Sequence, residues 1–543
     1  MPYVVTQSCC ADASCVVACP VNCIHPAPGE PGFAEAEMLY VDADSCVDCG
    51  ACVTACPVGA IKPHTALARY ELPFVALNAE YFDVFPHRDR TPLALVPPQR
   101  RLTRSGPFRF AVVGSGPAGM YVADELLKHP EVSVDVLDRL PTPYGLVRAG
   151  VAPDHPETKQ ATRLFEAIER EPGFGYLLDV EVGRDLSHDE LACHYDGVVY
   201  AVGAAHDRRL GIPGEELPGS LSATDLVAWY NGHPDRQDLR VPLDHGRAVV
   251  IGNGNVALDV ARILTADPDD LARTDIAALP WTALCRSRLA EVVVLGRRGP
   301  AEAAFTVPEL VGLAGLDGIN VVVDTGGAPV TGDSAKQRLL AELAGRPRVP
   351  GRRTLVLRFH TTPQRILGDT AVTGIEVARD DRTEVIACGL VLRAIGYHGA
   401  PVADLPYDPG TGTVRHDRGR VRPGVYVAGW AKRGPSGFIG TNKSCAQETV
   451  ERILDDADAG ALPVPTRGRA DLAALLEQRA VVPIDVEGWR AIDHEERRRG
   501  LQRGRPRLKL VDPAELRRVA RDRSGRPGYS AAPRRRQTAT RQK

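Results

Sequence analysis

The sequence predicts a small α+β domain followed by a larger α/β unit built from two dinucleotide-binding halves. Three observations carry this. Nine of the thirteen cysteines lie between Cys9 and Cys56. An apolar strand, a glycine-rich turn and a helix begin at Phe110, and the same order recurs at Ala248. Near the C-terminus, a strand ending at Gly429 and a third Gly-rich loop before a helix suit a return of the chain to the first half.

In the first half, residues 110–113 are consecutive apolar residues and read as a buried strand. Gly114, Gly116 and Gly119 follow at G-x-G-x-x-G spacing, and residues 120–128 read as a helix. Gly114 allows the tight turn, Gly116 lets backbone approach a pyrophosphate, and Gly119 lets the helix sit close on the strand. The pyrophosphate then meets free N–H groups at the helix N-terminus. A second strand, 132–137, ends at Asp138, 19 residues after Gly119, where a carboxylate would meet a ribose hydroxyl.

The second half repeats this logic. Strand 248–251 leads into Gly252, Asn253, Gly254, Asn255, Val256 and Ala257, with the small Ala257 in place of the third glycine. The next strand, 291–295, ends in Gly296-Arg297-Arg298. NAD sites place an acid at that strand end. Arginines suit a 2′-phosphate, which a guanidinium pairs bidentately, so the sequence prefers NADP.

In the N-terminal part, Cys46-x2-Cys49-x2-Cys52-x3-Cys56-Pro57 is the spacing by which three thiolates wrap one iron–sulfur cube while the fourth serves another cluster. Structural zinc uses two separated pairs instead. Upstream stand Cys9, Cys10, Cys15, Cys19-Pro20 and Cys23, and Cys19-Pro20 echoes Cys56-Pro57, as two pseudo-symmetric halves exchanging their last cysteines would. Residues 1–66 carry seven acids against Lys62 alone, a charge of −6, suited to docking on a basic surface.

The totals exclude other classes. The net charge of −3 gives no nucleic-acid footprint, and no run of about 18 apolar residues predicts a membrane span. MPYVVTQSCC lacks a basic leader, and the cysteine pattern suits reduced metal ligands, so a cytoplasmic protein is expected.

Two resemblances extend this reading. PYVVTQSC, CVVACPVNCI and MLYVDADSCVDCGACVTACPVGAI resemble bacterial seven-iron ferredoxins. That resemblance implies a [4Fe-4S] cluster on Cys19, Cys46, Cys49 and Cys52, and a [3Fe-4S] cluster on Cys9, Cys15 and Cys56, with Cys23 a free thiol. Only five residues separate Cys9 from Cys15, and Cys10 is an extra neighbour, so a second [4Fe-4S] stays open for the first site. TPYGLVRAGVAPDHPETK, GPAEAAFTVPE and GPSGFIGTN resemble adrenodoxin reductase and its bacterial ferredoxin–NADP reductase relatives, FAD enzymes with two Rossmann-like domains. By that resemblance Ala118, Asp138, Leu146, Val182, Trp430, Gly437, Phe438 and Ile439 contact FAD. Arg208 contacts NADP, and Gly437 touches both cofactors. His155 and Glu309 lie near the reactive rings as candidate proton or polar relays.

The expected architecture is therefore a ferredoxin-like domain over 1–86, a linker over 87–107, the flavin half over 108–245 and the NADP half over 246–395. Residues 396–516 return to the flavin and extend past it, and 517–543 form a basic tail. The expected activity is NADPH-dependent reduction of an acceptor such as a ferredoxin or a cytochrome P450 system through FAD and clusters. The alternatives are a disulfide reductase, which lacks its C-x2-C after Cys56, and a non-catalytic electron-transfer subunit, against which the intact second fingerprint argues.

Overall fold

The computed structural model describes residues 2–86, 99–204, 206–380, 382–402 and 404–522. The first part of the expected linker and the tail beyond 522 lie outside them.

The N-terminal domain is α+β, as expected. Tyr3–Val5 pairs antiparallel with Ile61–Pro63, and Ile24–His25 with Tyr40–Val41. Two short helices, Ser14–Ala18 and Ala51–Ala55, start from the left-handed residues Ala13 and Gly50. The helix Pro73–Val84 closes the domain and buries Asn78. That amide accepts from Val5 N (3.2 Å) and Val41 N (2.9 Å) and donates to Val5 O (3.0 Å), so one side chain ties the two strand pairs together.

The flavin half is a six-stranded sheet in the order Arg420–Arg422, Val425–Val427, Gly197–Tyr200, Phe108–Val113, Val132–Asp138 and Phe174–Leu178. All but the first pair run parallel. Helices cover both faces, which is why the strands are apolar throughout rather than alternating. The helix Pro117–Leu127 lies against Thr441–Asp458, so the C-terminal return packs directly on the first fingerprint helix.

The NADP half is a six-stranded parallel sheet in the order Ser220–Ser222, Leu390–Arg393, Arg247–Ile251, Glu291–Leu295, Thr354–Arg358 and Asn320–Asp324. A three-stranded antiparallel sheet, Thr361–Leu367, Gly374–Arg379 and Arg382–Ala387, stands beside it. Residues 326–351, expected as a polar surface insertion, contain the helix Ala335–Gly345 with Leu340 and Leu343 buried. Its start is a capping box, Ser334 with Gln337, which satisfies two orphan donors of the first turn.

Beyond residue 458 the helices Arg469–Gln478, Val486–Leu501 and Pro513–Asp522 wrap the flavin half; residues 517–522, expected as the start of the basic tail, instead belong to the last of these helices, because Val519 and Ala520 bury with Leu516. Fully buried Glu496 is held by Arg148 (2.5 Å) and Arg507 (2.8 Å), which fastens this extension to the first half. Burial alone would raise its carboxyl, but the two guanidiniums hold it below the usual glutamate range. Among the described residues no helix is long and apolar enough to cross a membrane.

The N-terminal domain sits on both halves of the larger unit. Gly440 N donates to Cys10 O at 2.8 Å, and Val307 N donates to Glu37 Oε2 at 2.8 Å. Arg338 pairs with Glu80 at 2.5 Å. The acidic surface of this domain is thus used partly in an ion pair and partly at a helix N-terminus, where a carboxylate meets free N–H groups and the favourable end of the dipole.

Candidate functional site: two nucleotide cradles and two cysteine nests

Each fingerprint loop ends at a helix whose N-cap is a glycine, Gly116 before Pro117–Leu127 and Gly254 before Asn255–Thr265, and neither helix has a side-chain cap. A Cβ on Gly116 would meet only Gly145 Cα, at 3.9 Å, and one on Gly254 would meet nothing within 4 Å. Both loops therefore leave an open concavity facing uncapped N–H groups, which fits a diphosphate. Gly119 differs: its Cβ would stand 1.9 Å from Gly114 O, so the helix–strand contact itself demands glycine.

Around the first loop the structure gathers the residues expected to contact FAD. Asp138 ends its strand beside the loop and accepts from Ser115 N (2.8 Å) and Ser115 Oγ (2.6 Å). Tyr144 N donates to Ser115 O at 3.0 Å, which brings the turn at Gly145 and Leu146 onto Gly116. Leu146 is 38% exposed, unusual for leucine beside a core and suited to covering a flat ring. Val182 follows Val180, whose N–H donates to Asp138 O at 2.9 Å. Ala118 lies in the first helical turn. Trp430 packs at 5.2 Å on Tyr397 and donates to Ser436 O at 3.1 Å. It thereby braces the loop of Gly437, Phe438 and Ile439, where Phe438 N donates to Thr441 Oγ1 at 2.9 Å.

The second loop opens on a cleft of about 720 Å³ that includes Asn253, Gly254, Asn255 and Val256, with Arg208, Arg297 and Arg298 on its walls. Arg297 and Arg298 are exposed at the strand end, as their expected role requires. Asn255 Oδ1 accepts from Thr306 N at 2.8 Å, and Thr306 in turn caps the helix Val307–Ala314, which carries Glu309. The fingerprint loop and the Glu309 helix are thus coupled.

His155 and Glu309, 154 positions apart, meet where the two halves face each other: Nδ1 lies 3.9 Å from Oε1. Between them the structure places a residue the sequence reading did not single out. Arg262 is buried, pairs with Asp154 (2.6 Å) and Asp259 (2.7 Å), reaches Glu309 (3.4 Å) and donates to His155 Nε2. Burial pushes the Glu309 carboxyl up, and Asp259 beside it adds to the rise. Asp154 is also buried, but Arg262 outweighs that and holds it below the usual aspartate range. Gln7 of the N-terminal domain hydrogen-bonds Glu309, so that domain reaches this cluster directly. A cleft of about 550 Å³ runs between them. The available signal for Arg262 was an arginine inside the apolar stripe of its helix, where Ala261, Ile263 and Leu264 are all buried.

The cysteines form two nests. Cys19, Cys46, Cys49 and Cys52 line one small cavity together with Cys23. Cys23 Sγ lies 3.4 Å from Cys19 Sγ, and its hydrogen bond lowers the Cys19 thiol to about 5. In the other nest burial raises the Cys9 thiol to about 11, and the nearby Cys56 and Asp12 push the same way. Cys15 rises for the same reason, burial first, then Cys9, Asp12 and Cys56. Such a set of buried sulfurs ionises together only around cations, which fits a cluster. Asp12 is the second residue that the sequence reading missed.

Fold and site together define a two-cradle flavoprotein oxidoreductase that carries its own iron–sulfur domain. Residues 108–270 match the pyridine nucleotide–disulphide oxidoreductase family, and residues 39–62 match the 4Fe-4S binding domain. The chain is 51% identical over 545 residues to a probable ferredoxin/ferredoxin–NADP reductase of Mycobacterium leprae, covering 96% of this chain and 98% of that relative. It is 44% identical to the NADPH-ferredoxin reductase FprA of Mycobacterium tuberculosis, covering 76% of this chain and 99% of that protein. A solved structure of Mycobacterium tuberculosis FprA in complex with NADPH superposes with a TM-score of 0.72 at 43% identity, covering 76% of this chain and 99% of the other. The chain belongs to the ferredoxin/ferredoxin–NADP reductase family: an NADP-dependent oxidoreductase with FAD and NADP sites and a fused [4Fe-4S] domain.

Proposed function

We propose that this protein oxidises NADPH and passes the electrons through FAD and its own two clusters to an external acceptor, a ferredoxin or a cytochrome P450 system, in the cytoplasm. The single observation that carries the internal route is the Gly440 N to Cys10 O hydrogen bond at 2.8 Å. It sets the first cysteine nest against the loop that holds Gly437, Phe438 and Ile439. The second nest lies outward, with Cys49 exposed and Val47 59% exposed beside it. The order of transfer is then flavin, first cluster, second cluster, acceptor. Bound FAD supplies the change from two-electron to one-electron chemistry.

The chain's own residues bind, orient and tune. Gly114, Gly116, Ala118, Gly119, Asp138, Leu146 and Val182, with Trp430, Gly437, Phe438 and Ile439 from the return segment, hold FAD. Arg208, Asn253, Gly254, Asn255, Val256, Arg297 and Arg298 hold NADP. His155 and Glu309 order the nicotinamide side of the site, and Arg262 fixes both. Cys19, Cys46, Cys49 and Cys52 hold [4Fe-4S], and Cys9, Cys15 and Cys56 hold a [3Fe-4S] cluster. These assignments follow the boundaries 1–86, 108–245, 246–395 and 396–516. In the test, the purified chain alone reduces ferricyanide and cytochrome c with NADPH, with much slower turnover on NADH. A chain that binds FAD but does not oxidise NADPH contradicts the proposal and favours the non-catalytic electron-transfer subunit.

A further inference from the structure

We infer that Gln7 of the N-terminal domain is a positioning residue for the nicotinamide side of the site. Its amide holds Glu309, so hydride transfer from NADPH to FAD runs at full rate only with the cluster domain seated. The inference rests on the reading that Glu309 orders that side of the site.

Glu309, Gly312 and Gly315 stand three residues apart and share one face of the helix Val307–Ala314 and its C-cap. The N-terminal domain covers that face. A Cβ on Gly312 would stand 2.5 Å from Gln7 Oε1, and one on Gly315 would stand 2.6 Å from Tyr70 Cβ. Neither glycine has a positive φ, so the backbone does not call for glycine at either place. The close seat of the N-terminal domain does. Glu37 Oε2 accepts from Val307 N at 2.8 Å, at the start of the same helix. Three separate segments of the N-terminal domain thus grip this helix at its start, middle and end.

Glu309 needs the donor that this seat brings. Arg262 is its nearest cation, at 3.4 Å, but lies closer to Asp154 (2.6 Å) and Asp259 (2.7 Å). His155 Nδ1 stands 3.9 Å away. A carboxylate only accepts, so in its hydrogen bond with Gln7 the amide N–H is the donor. That bond favours the ionised form against the burial that opposes it.

Gln7 is itself held firmly. It lies in the turn from Thr6 to Cys9, closed by Cys9 N donating to Thr6 O at 3.2 Å. Thr6 N (2.8 Å) and Thr6 Oγ1 (2.9 Å) both donate to Ala60 O. Thr6, Gln7, Lys62 and Tyr70 form one wall of the cleft of about 550 Å³ whose other wall carries His155 and Arg262. The cluster domain therefore completes this side of the reductase instead of only receiving its electrons.

The test uses the full chain, with FAD content and cluster absorbance as folding controls. Anaerobic mixing with NADPH gives a limiting rate of flavin reduction and an apparent Kd separately. Q7M keeps the length of the side chain and removes its N–H donor. Its limiting rate should fall at least about 5-fold through misplacement of Glu309. Its Kd should stay within about 2-fold, because Gln7 is remote from the arginines of the NADP cleft. G312A keeps Gln7 but puts a methyl where its amide stands, and it meets only the end of a flexible side chain. It should reproduce the fall, and the two falls should not multiply in Q7M/G312A, since both remove one contact. Thermal unfolding gives a readout independent of turnover. Q7M should lower Tm by about 1–2 °C. In an E309L background, where no acceptor remains, it should not lower Tm. The inference is overturned if Q7M or G312A reduces flavin as fast as wild type, if the loss falls on Kd alone, if the two falls multiply, or if Q7M lowers Tm equally in both backgrounds. E309Q reducing flavin at the wild-type rate would instead remove Glu309 from the site, and the underlying reading with it.

Discussion

Replacing Arg297 and Arg298 together by alanine isolates the cofactor preference from the electron chemistry. Both side chains are exposed at the mouth of the NADP cleft, and among the described residues no ion pair holds either guanidinium. They are free to take a 2′-phosphate, and their loss leaves no buried group unpaired. A hydrogen bond to a charged group contributes about 1.5–3 kcal/mol, and exposure places each of these at or below the lower end. Together they are worth roughly 2–3 kcal/mol toward NADPH, a loss of roughly 30- to 140-fold in kcat/KM. NADH lacks the phosphate, so its kcat/KM changes by less than about 3-fold. The assay is steady-state ferricyanide reduction with each nucleotide, on protein of equal FAD content. An unchanged ratio of NADPH to NADH efficiency refutes the assignment of this arginine pair.

Three further outcomes follow from the contacts. Gly440→Ala places a Cβ 2.2 Å from Asp12 N at a residue whose backbone tolerates alanine, so FAD content and ferricyanide reduction persist while NADPH-driven cluster reduction slows at least about 10-fold; an unchanged cluster rate contradicts the proposed entry point. Arg262→Met leaves Asp154, Asp259 and Glu309 without their shared buried cation, which costs about 3–5 kcal/mol and lowers Tm by roughly 3–5 °C for a chain of this length; calorimetry showing less than about 1 °C removes Arg262 as the organiser of that cluster. Glu309 has its carboxyl raised by folding, so its favourable contribution is complete below the unfolded glutamate value and is lost as pH rises through the folded one. Glu309→Gln is accordingly at least as stable as wild type at pH 7, and the difference shrinks on acidification below about pH 4.5; denaturant titrations in which the difference widens toward acid contradict this.

Much of this molecule is local in sequence, and those parts were legible. A glycine loop between an apolar strand and a helix is a contiguous signal, so both cradles and the arginines at the second strand end were readable residue by residue. The Cys46–Cys56 run is equally local. What escaped has one of two physical causes. Arg262 earns its place through partners more than a hundred residues away at Asp154 and His155, and no local pattern encodes such a pairing. Asp12 stands in the short gap between Cys9 and Cys15, where an acid reads as ordinary surface charge until the fold buries it beside the cysteines. The helix Ala335–Gly345 hides in a polar segment because only its narrow stripe of leucines meets the core. The seating of the N-terminal domain is a matter of surface complementarity. Charge balance anticipated its acidic face, but not that Gly440 and Gln7 would be among the points of contact.

The central claim is that electrons pass inside one chain from the nucleotide to its own clusters. Anaerobic rapid mixing with NADPH tests it, with flavin absorbance and freeze-quenched EPR of the clusters followed at two protein concentrations. The account predicts that cluster reduction follows flavin reduction at a rate independent of protein concentration. Flavin reduction with the clusters left oxidised, or cluster reduction that accelerates in proportion to protein concentration, would contradict it.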